Sequence, residues 1–169
     1  MPPKLKYVLA TIVLVLSFAA PVAAGSYDDA VSALSRGDYA TALRFFRPLA
    51  EQGDAKAQFT IGLMYVNGQG VQRNDAEALR WYRLAAERGD ARAQFNLGIM
   101  YRNGQGVPQD YVHAFMWLSL SAARGNQSAI NNQGIVAQQM TPAQLAEAQK
   151  RASEWSATAH ALNPGTSLQ

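Results

Sequence analysis

Two stretches of the chain have the composition of a phosphate cradle. Residues 65–71 read YVNGQGV, and residues 101–107, 36 positions later, read YRNGQGV. Glycine-rich loops bind phosphate by turning several backbone N–H groups toward one anion. The known arrangements are GxGxxG after a strand, or GxxxxGK followed by Ser or Thr. Neither spacing is present, and both loops follow a helical pattern rather than a strand. The other reactive side chains are scattered. His113 stands where the preceding stretch has Glu77, with no further His, Asp or Glu at metal-ligand spacing, so it reads as a solvent-facing or helix-edge residue. His160 falls near the end of a closing helix, where a cation suits the dipole. Ser119, Ser121 and Ser128 have no GxSxG or SxxK setting. Glu51 with Asp54, and Glu87 with Asp90, flank Gly53 and Gly89. Such carboxylate pairs serve acid–base chemistry in some enzymes, but their recurrence in step with the glycines reads as capping and solvated surface. Asp28 and Asp29 open the first helix, again where the dipole favours acids. The chain has no cysteine, which excludes zinc-thiolate sites, thiol nucleophiles and disulfides. No cofactor motif is present and no cofactor is expected.

The recurrence of the loop points to the elements around it. Residues 54–89 align without a gap on residues 90–125, sharing DA-AQF, an inner Gly, MY, NGQGV and a final RG. A fixed period of this length is the signature of stacked repeats, each unable to bury its apolar face alone. Each unit reads as two helices. Ala57, Ile61, Gly62 and Tyr65 form a helical stripe in the first, and Ala78, Trp81, Tyr82, Ala85 and Ala86 in the second. Gly62 and Gly98 lie inside the first-helix stripe. A mid-helix glycine costs ~1 kcal/mol relative to alanine, so close approach of a neighbouring helix backbone is expected there. Asn74 and Asp110 are expected N-caps of the second helices, and Gly89 and Gly125 their left-handed ends. The Asn-Gly-Gln-Gly segment then ends the first helix and turns the chain back, with positive φ at both glycines. Trp81, Trp117 and Trp155 recur near the period and read as core, with a sugar-stacking platform as the alternative.

The repeat weakens toward both ends. Ala42, Phe46, Ala50 and Gly53 match Ala78, Tyr82, Ala86 and Gly89 at the same interval. Downstream, Gly134 keeps the register of Gly98, Thr141-Pro142 reads as cap and first helical residue, and a closing helix runs to Leu162 with Asn163-Pro164-Gly165 as its stop. The expected organisation is a signal segment at 1–24, a capping repeat at 25–53, full repeats at 54–89 and 90–125, a degenerate repeat with closing helix at 126–162, and a loose tail at 163–169.

The segments AQFTIGLMYVNGQGV and AQFNLGIMYRNGQGVPQDYVHAFMWLSLSAARGN resemble the Sel-one-like repeat, a tetratricopeptide relative. MTPAQLAEAQKRASEW, at 140–155, resembles the segment that closes many bacterial members. The resemblance implies an all-α, right-handed solenoid of antiparallel helix pairs acting as a protein-interaction scaffold. By analogy with tetratricopeptide geometry, the partner-binding face falls on Lys56, Phe59, Leu63, Val66 and Asn67, and on Arg92, Phe95, Ile99, Arg102 and Asn103 in the next unit. Both sets combine an apolar centre with a basic residue and an amide, which suits a peptide with apolar anchors and a carboxylate. The alternative is that Phe59 and Phe95 pack within the stack. Some cysteine-rich relatives are linked to β-lactam binding or hydrolysis. A cell-wall or β-lactam hydrolase is therefore the competing class, weakened here by the missing cysteines.

The N-terminus carries an expected export signal. Lys4 and Lys6 precede an apolar run from Val8 to Ala20, and Val22-Ala23-Ala24 offers small residues for cleavage before Gly25. The run is shorter than the ~20 residues of a spanning helix, and no other membrane segment is expected. Losing Lys4 and Lys6 takes the 15 basic residues to 13, against 12 acidic ones. The nearly neutral remainder has no basic run, so a nucleic-acid partner is not expected. The expectation is an exported, periplasmic or secreted protein that binds a peptide or protein and is not an enzyme.

Overall fold

The computed structural model describes residues 26–162. The expected signal segment, the cleavage site, the Asn163-Pro164-Gly165 stop and the tail lie outside them, as does the His160 side chain. Among the described residues are eight helices and no strand. They are α1 (Tyr27–Ser35), α2 (Tyr39–Glu51), α3 (Ala55–Asn67), α4 (Asp75–Glu87), α5 (Ala91–Asn103), α6 (Tyr111–Ala122), α7 (Gln127–Ala137) and α8 (Pro142–Leu162). None of them is long and apolar enough to cross a membrane.

Short polar side chains start the helices. Asp54 and Asp90 are the N-caps of α3 and α5, Asn74 and Asp110 those of α4 and α6, and Asn126 that of α7. Each accepts from the otherwise unpaired N–H groups of the first turn, as Asp54 Oδ1 does from Ala57 N at 2.9 Å. Ser26 and Asp29 form a capping box on α1, and Thr141 with Gln144 does the same for α8. The acids beside Gly53 and Gly89 therefore divide by role. Asp54 and Asp90 cap, while Glu51 and Glu87 are exposed last residues of α2 and α4.

The twin loops are structural. Gly68 and Gly104 end α3 and α5 in the left-handed region, at φ 66° and 68°. The second glycine of each loop presses on the preceding unit. A Cβ on Gly70 would lie 2.8 Å from the Tyr39 carbonyl oxygen, and one on Gly106 would lie 2.5 Å from that of Asp75. Each loop thus rests on the first turn of the second helix before it. Glycine alone permits both the positive φ and this contact.

The glycines inside the first helices serve a different contact from the one expected. It is a side chain, more than a backbone, that fills the space over them. A Cβ on Gly62 would lie 2.6 Å from the Tyr82 ring, and one on Gly98 would lie 2.6 Å from Leu118 Cγ, with the Ala114 carbonyl oxygen next at 3.2 Å. Each first helix offers a hole that takes a knob from its own second helix. Two polar residues fix the stack between units. Gln58 is 2% exposed and its Nε2 donates to the Ala50 carbonyl at 2.9 Å; Gln94, fully buried, donates to Ala86 at 3.1 Å. Each adds a second donor to a last-turn carbonyl of the preceding helix, which already accepts from Gly53 N or Gly89 N.

From α1 to α7 every helix packs on its neighbours in sequence, but α8 packs on α6 and not on α7. Met140 just before α8, and Leu145, Ala148, Ala152 and Trp155 on it, join this end of the chain to the larger core, in which Leu97, Leu118 and Trp117 are buried. A smaller core joins α1, α2 and α3 around Phe46, Ile61 and Met64, with Trp81 against it.

Candidate functional site

The crossing of α8 over α6 opens a groove that α4 completes. Its volume is about 840 Å³, and Tyr101, His113, Met116, Trp117 and Trp155 are its apolar and aromatic lining. Trp117 and Trp155 meet edge to face with ring centroids 5.0 Å apart. His113 stacks on Tyr101, also at 5.0 Å, with the planes 20° apart. Arg83 and Glu87 border the groove from α4, and Arg151, Glu154 and Thr158 from α8. An aromatic floor with both signs of charge at its edge has the make-up of a peptide-anchoring surface.

A polar chain fixes the aromatic residues in place. Arg83 donates to the Tyr101 hydroxyl. His113 Nδ1 lies 2.6 Å from Asp110 Oδ2, and its Nε2 lies 3.4 Å from Arg151 Nη1. An arginine donates only, so Nε2 accepts and Nδ1 carries the proton given to Asp110. Burial pushes the Asp110 carboxyl up, but hydrogen bonds from the His113 backbone and ring outweigh it and hold the group below the usual carboxylate range. Arg151 also donates to Glu147 at 2.7 Å, and that bond lowers the Glu147 carboxyl. The Asp110–His113 pair has the orientation of an activated base. Its free nitrogen faces an arginine, however, and among the described residues no Ser or Thr hydroxyl is bonded to it. The Ser119 and Ser121 hydroxyls donate instead to the carbonyls of Phe115 and Ala91. Ser128 is exposed on α7. No group of three or more His, Asp or Glu able to hold a metal occurs among the described residues.

The residues expected to bind a partner lie on α3 and α5, away from this groove. Phe59 is 9% exposed, held between the Tyr82 ring at 5.7 Å and the Arg92 guanidinium at 4.2 Å. Phe95 is half-buried, because Ser128 stands where a further arginine of the repeat would reach over it. Arg92 is already engaged by its own cap, Asp90, at 2.6 Å. Arg102 bonds Asn132 on α7 at 2.6 Å. Asn67 and Asn103 are exposed and donate to the side chains of Gln69 and Gln105 in their loops. Lys56 is exposed and forms no ion pair among the described residues, and Leu63, Val66 and Ile99 are half-buried. Burial also raises the Tyr82 hydroxyl to about 12, with Asn96 pulling the other way. The groove itself was not visible in the sequence. Its signal was Trp155 combined with His113, 42 residues apart in a chain whose repeats suggest no contact between them.

These helix pairs define an α-solenoid of short repeats with a helix folded back at its end. The Sel1 repeat model matches residues 30–54, 55–90 and 91–126, and the chain belongs to the Sel1 repeat family, whose members are generally protein–protein interaction modules. No curated protein matches the chain. Among solved structures it is similar to c5321, a protective antigen of uropathogenic Escherichia coli strains displaying an SLR fold, with a TM-score of 0.73 and 28% identity over 85% of this chain and 32% of that one. It is also similar to a Sel1 repeat protein from Oxalobacter formigenes, with a TM-score of 0.63 and 29% identity over 76% of this chain and 55% of that one. The chain therefore spans a third of the first of these proteins and about half of the second.

Proposed function

We propose that the protein is an exported interaction module that anchors a peptide segment of a partner protein in the groove between α4, α6 and α8. The observation that carries this reading is the aromatic floor of Trp117, Trp155, Tyr101 and His113 beneath a rim of Arg83, Glu87, Arg151 and Glu154. An apolar or aromatic anchor would be desolvated on that floor, and flanking charges of both signs would find partners at the rim. Crosslinking of the exported protein with identification of its partner tests the reading. Glu87→Lys combined with Glu154→Lys inverts the acidic rim without touching the floor, and capture should be lost. Undiminished capture overturns the groove.

A second reading places the partner on the first helices. It is favoured by the row of half-buried Leu63, Val66, Phe95 and Ile99 beside Lys56, which forms no ion pair among the described residues. Phe95→Lys with Ile99→Lys separates the two, since neither residue lines the groove. Export rests on the Val22-Ala23-Ala24 pattern. The exported protein should have an intact mass starting at Gly25, and retention of Lys4 would refute cleavage.

A further inference from the structure

The degenerate repeat after the third has a first helix without a second. Helix α7 occupies the place of α3 and α5, packing on the helix before it. Helix α8 then leaves for α6, so no helix among the described residues takes the place that α4 takes beside α3 and α6 takes beside α5. Three positions report this independently. A Cβ on Gly62 or Gly98 would strike Tyr82 or Leu118 at 2.6 Å, but one on Gly134 would meet nothing within 4 Å. A Cβ on Gly53 or Gly89 would strike the guanidinium of Arg88 at 2.5 Å or Arg124 at 3.1 Å, but one on Gly125 would again meet nothing. Gln58 and Gln94 are buried, whereas Ile130 at the same repeat position is 45% exposed. Ile130 and Gly134, four residues apart, share one face of α7, so an exposed apolar side chain stands beside the open hole.

We propose that the bare face of α7 seats one amphipathic helix from a partner protein. The repeat itself states what that helix must carry. A leucine or aromatic residue enters at Gly134, as Tyr82 and Leu118 do at their glycines. An arginine follows at the spacing of Tyr82 to Arg88 and Leu118 to Arg124, and lies over Gly125 at the negative end of the α6 dipole. The face toward Ile130 is apolar. Among the described residues no helix is left over for the seat, since α8, the helix that follows α7, packs on α6. In a second copy, α2, α4 and α6 are already paired with their own first helices. The seat is continuous with the existing core through the buried Ala129 and Val136. It shares no residue with the aromatic groove, so failure of one leaves the other standing.

The probe is a labelled peptide copying residues 75–89, titrated into the full protein by fluorescence anisotropy. Saturable one-to-one binding is expected, weak because an isolated helix of this length is marginal. Gly134→Leu fills the hole from a solvent-open position. It should weaken binding by about tenfold or more while circular dichroism stays unchanged. Ile130→Glu should act the same way, and so should Tyr82→Ala within the peptide alone. Arg36 is exposed at the end of α1, and Arg36→Glu in the protein should have no effect. No saturable binding up to millimolar peptide overturns the proposal, and so does binding indifferent to both Gly134→Leu and Ile130→Glu. Sedimentation showing a dimer that Gly134→Leu splits would also overturn it, by giving the seat to a second copy.

Discussion

The Trp117 ring meets the Trp155 ring edge to face with 5.0 Å between centroids, and this contact helps bind the closing helix to α6. Trp117 is 4% exposed and belongs to the larger core. Trp117→Ala should therefore cost about 3–5 kcal/mol in urea unfolding. Trp155 is half-buried, so Trp155→Ala should cost less. A loss below ~1 kcal/mol for Trp117→Ala would place its ring outside the core.

Gly98 and Gly134 hold the same repeat position with opposite surroundings. Gly98→Ala forces a methyl against Leu118 and should lower stability by about 1–3 kcal/mol despite better helix propensity. Gly134→Ala adds propensity in open space and should raise stability by ~0.5–1 kcal/mol. Thermal or urea melts of the two variants check this, and equal signs would refute the difference in packing.

Phe59 and Phe95 should differ too. Phe59 is covered by Arg92, and Phe59→Ala should cost about 3–4 kcal/mol. Phe95→Ala should cost clearly less, because one face of the ring is open. Arg92→Ala removes both the ring contact and the pair with Asp90, a loss of about 1 kcal/mol. Chemical denaturation of the three variants tests the order.

Asp110 gives a pH dependence of defined sign. Its carboxyl is held below the usual range in the folded chain, so the stability it contributes is present above the unfolded value and lost as pH falls through the folded one. Asp110→Asn keeps a capping side chain but loses the charge. The variant should be less stable than wild type near pH 7, and the gap should narrow as the pH falls below the ordinary aspartate range. Urea midpoints across that range measure the gap, and a constant gap would assign the effect to capping alone.

Local sequence determined the solenoid. A cap such as Asp54 acts on N–H groups three residues away, and the positive φ at Gly68 or Gly104 is a property of the glycine itself. Repetition of these signals fixed the helix pairs and the loops between them, since each unit reuses the same short-range physics. The Sel1 pattern was legible for that reason. The tertiary structure alone decided which side chains meet. It set a ring or a leucine, not a backbone, over Gly62 and Gly98. It buried Phe59 under Arg92 while leaving Phe95 partly open, because Ser128 is too short to cover it. Above all it sent α8 to α6. Thr141 and Pro142 announce where that helix starts, but its direction depends on Leu145, Ala148 and Trp155 finding the Trp117 side of α6. The groove and the empty seat on α7 both follow from that choice. Contacts between residues as far apart as His113 and Arg151 are won by competition among apolar faces, and no spacing within a repeat records the outcome.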